Sequence, residues 1–188
     1  MRIRTLPALT LALTAIAAAP AHAEWKNYVS RELGFSFSAP SEVKAELGTY
    51  RGEVAGPRQT TVFRCTDNNI EYKVTVLAFS QAQMDGAILI GEREFLFRQR
   101  NKVVMDAFSQ VGTGKDSVYG HKIVVDLAKG RTMAAVYFTN GKLYTVEADL
   151  PPDGDYQAPE PKRFIDSIAF DLSRVAPGTI EVQAPKVE

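Results

Sequence analysis

The stretch that decides the fold is YFTNGKLYTV, residues 137–146, in which two largely apolar runs flank Asn140-Gly141. Asn-Gly suits a type I′ turn, because both central residues of that turn need a positive φ. A two-residue loop fixes the register of the hairpin, so Tyr137 is predicted to face Tyr144. Counting outward by twos predicts one apolar face, made of Met133, Ala135, Tyr137, Tyr144, Val146 and Ala148. We therefore expect the two tyrosines to pack in a core rather than to meet a substrate.

A second hairpin is predicted in TTVFRCTDNNIEYKVTVLAF, residues 60–79, with Asn68-Asn69 as its turn. This register places Cys65 opposite Tyr72 on an apolar face. Cys65 is the only cysteine of the chain, so an internal disulfide is excluded. The thiol is either buried and inert or exposed and able to pair with another chain, and the register favours burial.

Three further strand predictions follow from the sequence. Residues 121–128 read as a strand between the two hairpins, and Phe35 and Phe37 alternate with serines in a strand that stops at Pro40. The segment AFDL, residues 169–172, is predicted to return as a strand. Residues 41–59 are rich in glycine and charge, and we expect few strands there.

Two helices are predicted. The main one runs from Asp85 to Phe108, with Asp85 as its cap and apolar residues repeating every seven positions. A shorter helix follows Pro159 and Pro161 and turns Phe164, Ile165 and Ile168 inward. Short turns between adjacent strands require antiparallel pairing, so the predicted class is α+β, with an antiparallel sheet of about six to seven strands packed against helices.

The ends of the chain predict export and a loose tail. Arg2 and Arg4 precede an uncharged stretch, and Ala21-His22-Ala23 offers a small-x-small cleavage site. This pattern is typical of a cleaved signal peptide over residues 1–23, which predicts a periplasmic or secreted protein without a membrane span. Residues 24–172 are predicted to form a single domain, and residues 173–188 a flexible tail.

The order of these parts resembles the PsbP-like superfamily, and above all its small exported bacterial members of unknown role. The residues that carry the resemblance are Tyr119-Gly120, Tyr137, Gly141 to Tyr144, Phe164, Ser167, Ile168 and Phe170, together with the early GFSFSAP segment. These motifs are aromatic core positions and turn glycines. The resemblance implies an antiparallel sheet between helices, and it carries no catalytic residue.

Reactive residues are scarce in this sequence. Once the signal peptide is removed, His121 is the only histidine, and with Cys65 it is too little for a usual zinc site. His121 reads as a surface residue at the start of a strand rather than as a catalytic base. The segment GTGK, residues 112–115, lacks the spacing of a phosphate-binding loop. We therefore predict no catalytic residue and no cofactor.

Acidic residues cluster in EADLPPDGDY, residues 147–156. Asp149, Asp153 and Asp155 are the candidate metal ligands, because clustered carboxylates suit calcium. The spacing does not match the twelve-residue calcium loop, and a solvated turn is the competing interpretation. Glu147 and Asp149, assisted by Tyr144, define an alternative hydrolase or lyase, although the predicted register turns Glu147 away from Tyr144.

Basic residues cluster on the predicted main helix. Arg93, Arg98, Arg100 and Lys102 are the candidate partner-binding residues, for an acidic protein or for lipid headgroups. A solvated helix face, stabilised by the pair Glu94 and Arg98, is the competing interpretation.

The composition limits the class of partner. The 22 basic and 22 acidic residues balance, which argues against nucleic acid as the main partner. We predict a monomeric, non-catalytic binding or accessory protein of the cell envelope. A carboxylate-based hydrolase or lyase and a structural subunit that docks through the basic helix face are the alternatives.

Overall fold

A computed structural model of the chain describes residues 24–79, 85–99, 101–152 and 154–185. The predicted signal peptide lies outside these residues. The strands are β1 (Lys26–Ser30), β2 (Phe35–Ala39), β3 (Lys44–Gly52), β4 (Gly56–Asp67), β5 (Ile70–Ala78), β6 (Lys102–Val111), β7 (Val118–Leu127), β8 (Gly130–Thr139), β9 (Lys142–Leu150) and β10 (Ile180–Glu181). The helices are α1 (Gly86–Arg98) and α2 (Pro159–Asp166), with short 3₁₀ turns at Gly114–Asp116 and Leu172–Arg174.

The architecture is α+β and has three layers. A seven-stranded antiparallel sheet has the order β3-β4-β5-β9-β8-β7-β6, and a three-stranded sheet has the order β10-β1-β2. Helix α1 packs on one face of the large sheet with Leu89, Phe97 and the strand residues beneath them. Helix α2 and the small sheet cover the other face through an aromatic core. The predicted fold class is confirmed.

Both predicted hairpins form in the predicted register. Tyr137 lies opposite Tyr144 and Thr139 opposite Lys142, and the turn residues Asn140 and Gly141 have φ values of 51° and 70°. In the other hairpin Cys65 lies opposite Tyr72, and the Cys65 thiol is buried. Two consecutive residues with positive φ are what a two-residue hairpin turn of the right twist requires.

The predicted main helix is wrong in its second half. Helix α1 ends at Arg98, the Asn101 side chain donates to the Phe97 carbonyl at 2.7 Å, and the chain continues as β6. Lys102 therefore lies in a strand. The β-branched residues Val103 and Val104 suit a strand, and β6 gains a partner in β7 that no local pattern indicates.

Two other predictions need correction. Residues 41–59 are not poor in strands, because β3 pairs along its whole length with β4. The segment 169–172 is not a strand either. Ala169 forms a single bridge to Ser36, and the Asp171 side chain then caps the following 3₁₀ turn by accepting from the Ser173 backbone at 3.0 Å.

Part of the predicted tail belongs to a sheet. Ile180 and Glu181 pair in parallel with Tyr28 and Val29 of β1, and the Val182 backbone N–H donates to the Val29 carbonyl at 2.9 Å. This contact attaches the C-terminal segment to the small sheet.

Candidate functional site

Helix α1 divides one face of the large sheet into two clefts. The Asp85 side chain caps the helix by accepting from the Ala87 backbone at 2.9 Å, and Leu89 and Phe97 are its buried residues. The helix lies mainly over β8 and β7. On one side of α1 the sheet face is apolar, and on the other side, over β3, β4, β5 and β9, it is polar.

One of the two clefts, which we call the apolar cleft, lies between α1 and the β6–β7 edge of the sheet. It has a volume of about 500 Å³. Gly86 and Gly91 form part of its helical wall, and Phe138 forms part of its floor. Phe108 and Tyr119, 68% and 54% exposed, belong to its lining. Their ring centroids lie 5.6 Å apart. Large aromatic side chains exposed to this extent at a cleft are typical of binding surfaces.

A group of charged residues stands at the end of the apolar cleft. His121 Nδ1 lies 2.8 Å from Glu94 Oε1 and 3.5 Å from Asp106 Oδ1. The two atoms are close, but the His121–Glu94 contact does not have the direction of a hydrogen bond. Arg98 pairs with Asp106 and, at 3.9 Å, with Glu94. These contacts join α1 to both β6 and β7.

The two carboxyl groups of this cluster respond differently to their surroundings. Burial raises the pKa of Glu94, and the neighbouring His121 offsets part of that rise. The hydrogen bond from Arg98 lowers the pKa of Asp106. Opposite shifts in adjacent carboxyl groups are found at functional sites and also in structural ion-pair networks.

The second cleft, which we call the polar trough, has a volume of about 470 Å³. Its floor includes the threonines of β4, β5 and β9, and α1 contributes Arg93 and Leu96 to one wall. Lys73 Nζ lies 2.6 Å from Asp149 and 3.7 Å from Glu147. Arg93 donates to Glu147 Oε1 at 3.0 Å. Burial alone would lower the pKa of Lys73, but Glu147 and Asp149 outweigh it, and the pKa is raised.

The basic residues predicted to bind a partner lie in different parts of the structure. Arg93 lies in the wall of the polar trough and stacks on the Phe97 ring at 4.4 Å. Arg98 belongs to the charged cluster of the apolar cleft. Lys102 begins β6, and Arg100 lies outside the described residues. These side chains do not form one helix face, and their role in partner binding stays a prediction.

The predicted acidic ligands lie only partly within the described residues, and their role as metal ligands stays a prediction. Asp149 accepts from the Thr132 hydroxyl at 2.6 Å and pairs with Lys73. Asp155 accepts from the Gln157 backbone at 2.8 Å, and Asp153 lies outside the described residues. Within the described ranges no three His, Cys, Asp or Glu side chains are grouped as metal ligands. Asp149 and Asp155 thus have protein partners in this structure.

The residues of the hydrolase alternative lie on opposite faces of the sheet. Tyr144 is part of the aromatic core beneath α2, whereas Glu147 faces α1 and Arg93. The trio Glu147, Asp149 and Tyr144 therefore cannot act on one substrate atom.

The sequence alone does not predict which residues connect the two clefts to the sheet. His121 lies within β7 rather than at its start, and its partners come from α1 and β6. The register of the Asn68-Asn69 hairpin places Lys73 and Arg64 on the face opposite Cys65 and Tyr72. The pairing of β5 with β9 makes that face the floor of the trough, and a hairpin pattern does not reveal such pairing.

The comparisons with known proteins concern the fold. No protein-family model matches the chain, and no curated protein sequence matches it. The three-layer arrangement is that of the PsbP-like fold. The solution structure of cyanobacterial PsbP (CyanoP) from Synechocystis sp. PCC 6803 superposes with a TM-score of 0.52, at 15% identity, and covers 85% of this chain and 98% of that one. At this identity the likeness establishes the fold alone.

No helix within the described ranges is both long and apolar enough to cross a bilayer.

Proposed function

We propose that this protein is a non-catalytic binding domain with a PsbP-like fold, and that the apolar cleft receives an aliphatic or aromatic side chain of a partner protein. The observation that carries the proposal is the pair Phe108 and Tyr119, which remains exposed beside an open cleft of about 500 Å³. Aromatic residues of this kind are enriched among the residues that dominate binding energy in protein interfaces.

A partner protein explains the exposed aromatics better than a small molecule does. A small ligand would fill the cleft but would leave much of Phe108 and Tyr119 in water. A protein surface would cover both rings and insert a side chain between α1 and β7. Gly91, where an added Cβ would meet no atom within 4 Å, allows that side chain a close approach to the helix backbone, whereas Gly86 and Gly120 are packed against Phe138 and Tyr137.

The proposed setting is the cell envelope. The N-terminal pattern predicts export, which would place the mature domain in the periplasm or outside the cell. We propose no enzyme activity and no cofactor for this domain. We expect it to be a monomer that acts as an accessory protein for its partner.

The experiment compares two double variants of the full chain. Phe108→Ala/Tyr119→Ala removes the exposed rings of the apolar cleft. Ile88→Ala/Phe95→Ala removes two exposed apolar side chains of α1 that lie outside the cleft lining. Proteins retained from a cell-envelope extract by the unaltered chain are identified by mass spectrometry. The leading partner is then purified, and its affinity for all three chains is measured by calorimetry.

We expect the cleft variant to bind the purified partner at least about tenfold more weakly, a loss of about 1.4 kcal/mol, and the α1 variant to bind as the unaltered chain does. Equal weakening in both variants, or no partner that binds in purified form, would contradict the proposal.

Docking through the basic residues remains the second candidate, because Arg98 and Lys102 have side chains within reach of solvent. The same assay on Arg98→Glu/Lys102→Glu tests it. Loss of the partner in this variant, with full binding by Phe108→Ala/Tyr119→Ala, would favour docking through the basic residues.

A further inference from the structure

The polar trough places positive charges side by side across neighbouring strands. Arg64 of β4 lies directly opposite Lys73 of β5, and Lys73 lies directly opposite Glu147 of β9. Like charges directly opposite each other destabilise an antiparallel pair. Arg93 adds a third cation from α1, next to Glu147. Placing these three cations close together destabilises the folded state unless negative charge lies nearby.

The protein's own carboxylates supply part of that negative charge. Arg64 pairs with Glu46 at 2.7 Å and with Glu71 at 3.2 Å. Lys73 pairs with Asp149, and Arg93 pairs with Glu147. The lining of the trough contains four basic side chains, Arg51, Arg64, Lys73 and Arg93, and the carboxylates of Glu46 and Glu147, while Glu71 and Asp149 pair with these cations from outside the lining.

Two guanidinium groups retain a donor that these pairs do not use. The Nε atoms of Arg64 and Arg93 are both buried and lack a hydrogen-bond partner within the part of the chain that the structure describes. An unsatisfied buried donor is unfavourable, and more so when it carries charge.

The cations are held in position before any ligand arrives. Arg93 is fixed between Glu147 at 3.0 Å and the Phe97 ring at 4.4 Å. Lys73 is fixed by Asp149. A ligand would therefore bind to groups whose side-chain freedom is already lost, which reduces the entropic cost of binding. Thr75 and Thr145 in the lining offer hydroxyl donors between the charged residues.

We propose that the polar trough is a binding site for a small ligand that carries an oxyanion, held by Arg64, Lys73 and Arg93. The oxyanion is a carboxylate, a phosphate or a sulfate. Guanidinium groups match the planar or tetrahedral oxygen arrangement of these anions with two parallel donors. The volume of about 470 Å³ suits a small molecule. This site is separate from the apolar cleft, so either proposal stands or falls without the other.

The test is an NMR titration of the full chain with inorganic phosphate, sulfate or succinate, each compared with sodium chloride at the same ionic strength. Backbone amide signals of Thr75 and Thr145 report on the trough, and those of Phe108 and Tyr119 report on the other cleft. We expect saturable shifts at Thr75 and Thr145 with at least one of the three anions. The anion that binds most tightly identifies the ligand chemistry.

Three variants make the result specific. Arg64→Gln removes one cation at a half-exposed position, so the fold should persist. Arg93→Gln/Glu147→Gln removes a cation without leaving a buried carboxylate unpaired. Arg98→Gln is the matched control, an ion-paired arginine outside the trough lining. We expect each trough variant to weaken anion binding at least about tenfold and the control to bind as the unaltered chain does.

Shifts that chloride reproduces, shifts that persist unchanged in both trough variants, or no saturable shift with any of the three anions would each overturn the proposal.

Discussion

Tyr137 and Tyr144 face each other across the β8–β9 hairpin, and their hydroxyls bond to different parts of the molecule. Tyr144 donates to the Leu33 carbonyl at 2.7 Å, in the turn between β1 and β2. Tyr137 shares a hydrogen bond of 2.8 Å with the Ser109 hydroxyl of β6. One cross-strand pair thus connects the central hairpin to the small sheet and to the edge of the large one.

Replacing Tyr144 by phenylalanine removes one of these connections without opening a large cavity. We expect Tyr144→Phe to lower the free energy of unfolding by about 1–3 kcal/mol, because the buried Leu33 carbonyl loses its donor. Urea denaturation followed by circular dichroism measures the change. Tyr119→Phe, at an exposed position, is the control and should be neutral. Equal stability of Tyr144→Phe and the unaltered chain would contradict the role of this bond.

The Cys65 thiol should be protected in the folded protein. Burial raises the pKa of Cys65, and hydrogen bonding with Ser41 offsets part of the rise. Both burial and a low thiolate fraction slow the reaction with disulfide reagents. We expect Cys65 to react at least about 100-fold more slowly in buffer than in denaturant.

The control for thiol reactivity is Cys65→Ala/Gln59→Cys, which moves the single thiol to an exposed position of β4. This thiol should react in buffer at nearly its rate in denaturant. Fast labelling of the native chain at Cys65 would show that this side of the core opens readily.

Glu94 should make stability depend on pH. Its carboxyl group has a pKa above the ordinary value of 4.5, chiefly because it is buried. The folded state therefore binds the proton more tightly than the unfolded state, and the contribution of Glu94 to stability falls as pH rises from about 4.5 through the folded pKa. We expect Glu94→Gln to gain stability relative to the unaltered chain over this rise.

Urea denaturation at several pH values from about 4 to 8 measures this difference. Glu53→Gln, at an exposed turn position, is the matched control and should show no such trend. A difference between Glu94→Gln and the unaltered chain that stays constant with pH would contradict the prediction.

Glu92 connects α1 to the β3–β4 hairpin. Its carboxylate accepts from the Tyr50 hydroxyl at 2.8 Å, from the Ala55 backbone at 3.4 Å and from the Val54 backbone. We expect Glu92→Ala to cost about 1–3 kcal/mol of unfolding free energy and to speed hydrogen exchange at Val54 and Ala55. Glu32→Ala, on an exposed turn, serves as the control. Unchanged exchange at Val54 and Ala55 would show that the hairpin does not depend on Glu92.

The parts of the fold that the sequence predicts are those whose cause is local. Asn140-Gly141 and Asn68-Asn69 set the dihedral angles of their own turns, and each turn sets the register of its hairpin. The burial of Cys65 followed from that register. The short helix α2 was also predicted, although it begins at Pro159 rather than after Pro161, and Phe164 and Ile165 lie on its inner face as expected.

The parts that sequence reasoning missed depend on distant partners. Leu89, Leu96 and Val103 repeat every seven residues, but Val103 belongs to a strand that exists because β7 pairs with it. Lys73 contacts Glu147 and Asp149 only because β9 lies beside β5, and the hairpin pattern does not predict that pairing. The sequence does not predict the polar trough or the charged cluster of the apolar cleft for the same reason. The residues of each come from strands and a helix that lie far apart in sequence.

The strand order of the large sheet has a kinetic consequence. Every neighbouring pair in it joins consecutive strands except β5 and β9, where Ala78 meets Lys142 and Glu71 meets Asp149. The sheet thus consists of two meanders, β3-β4-β5 and β6-β7-β8-β9, and each can form from its own turns. The two meanders meet only where β5 pairs with β9. This pairing brings together segments separated by much of the chain, and such contacts form slowly in folding. The rate at which this protein reaches its native state should therefore be set at the junction of β5 and β9, which also forms part of the floor of the trough.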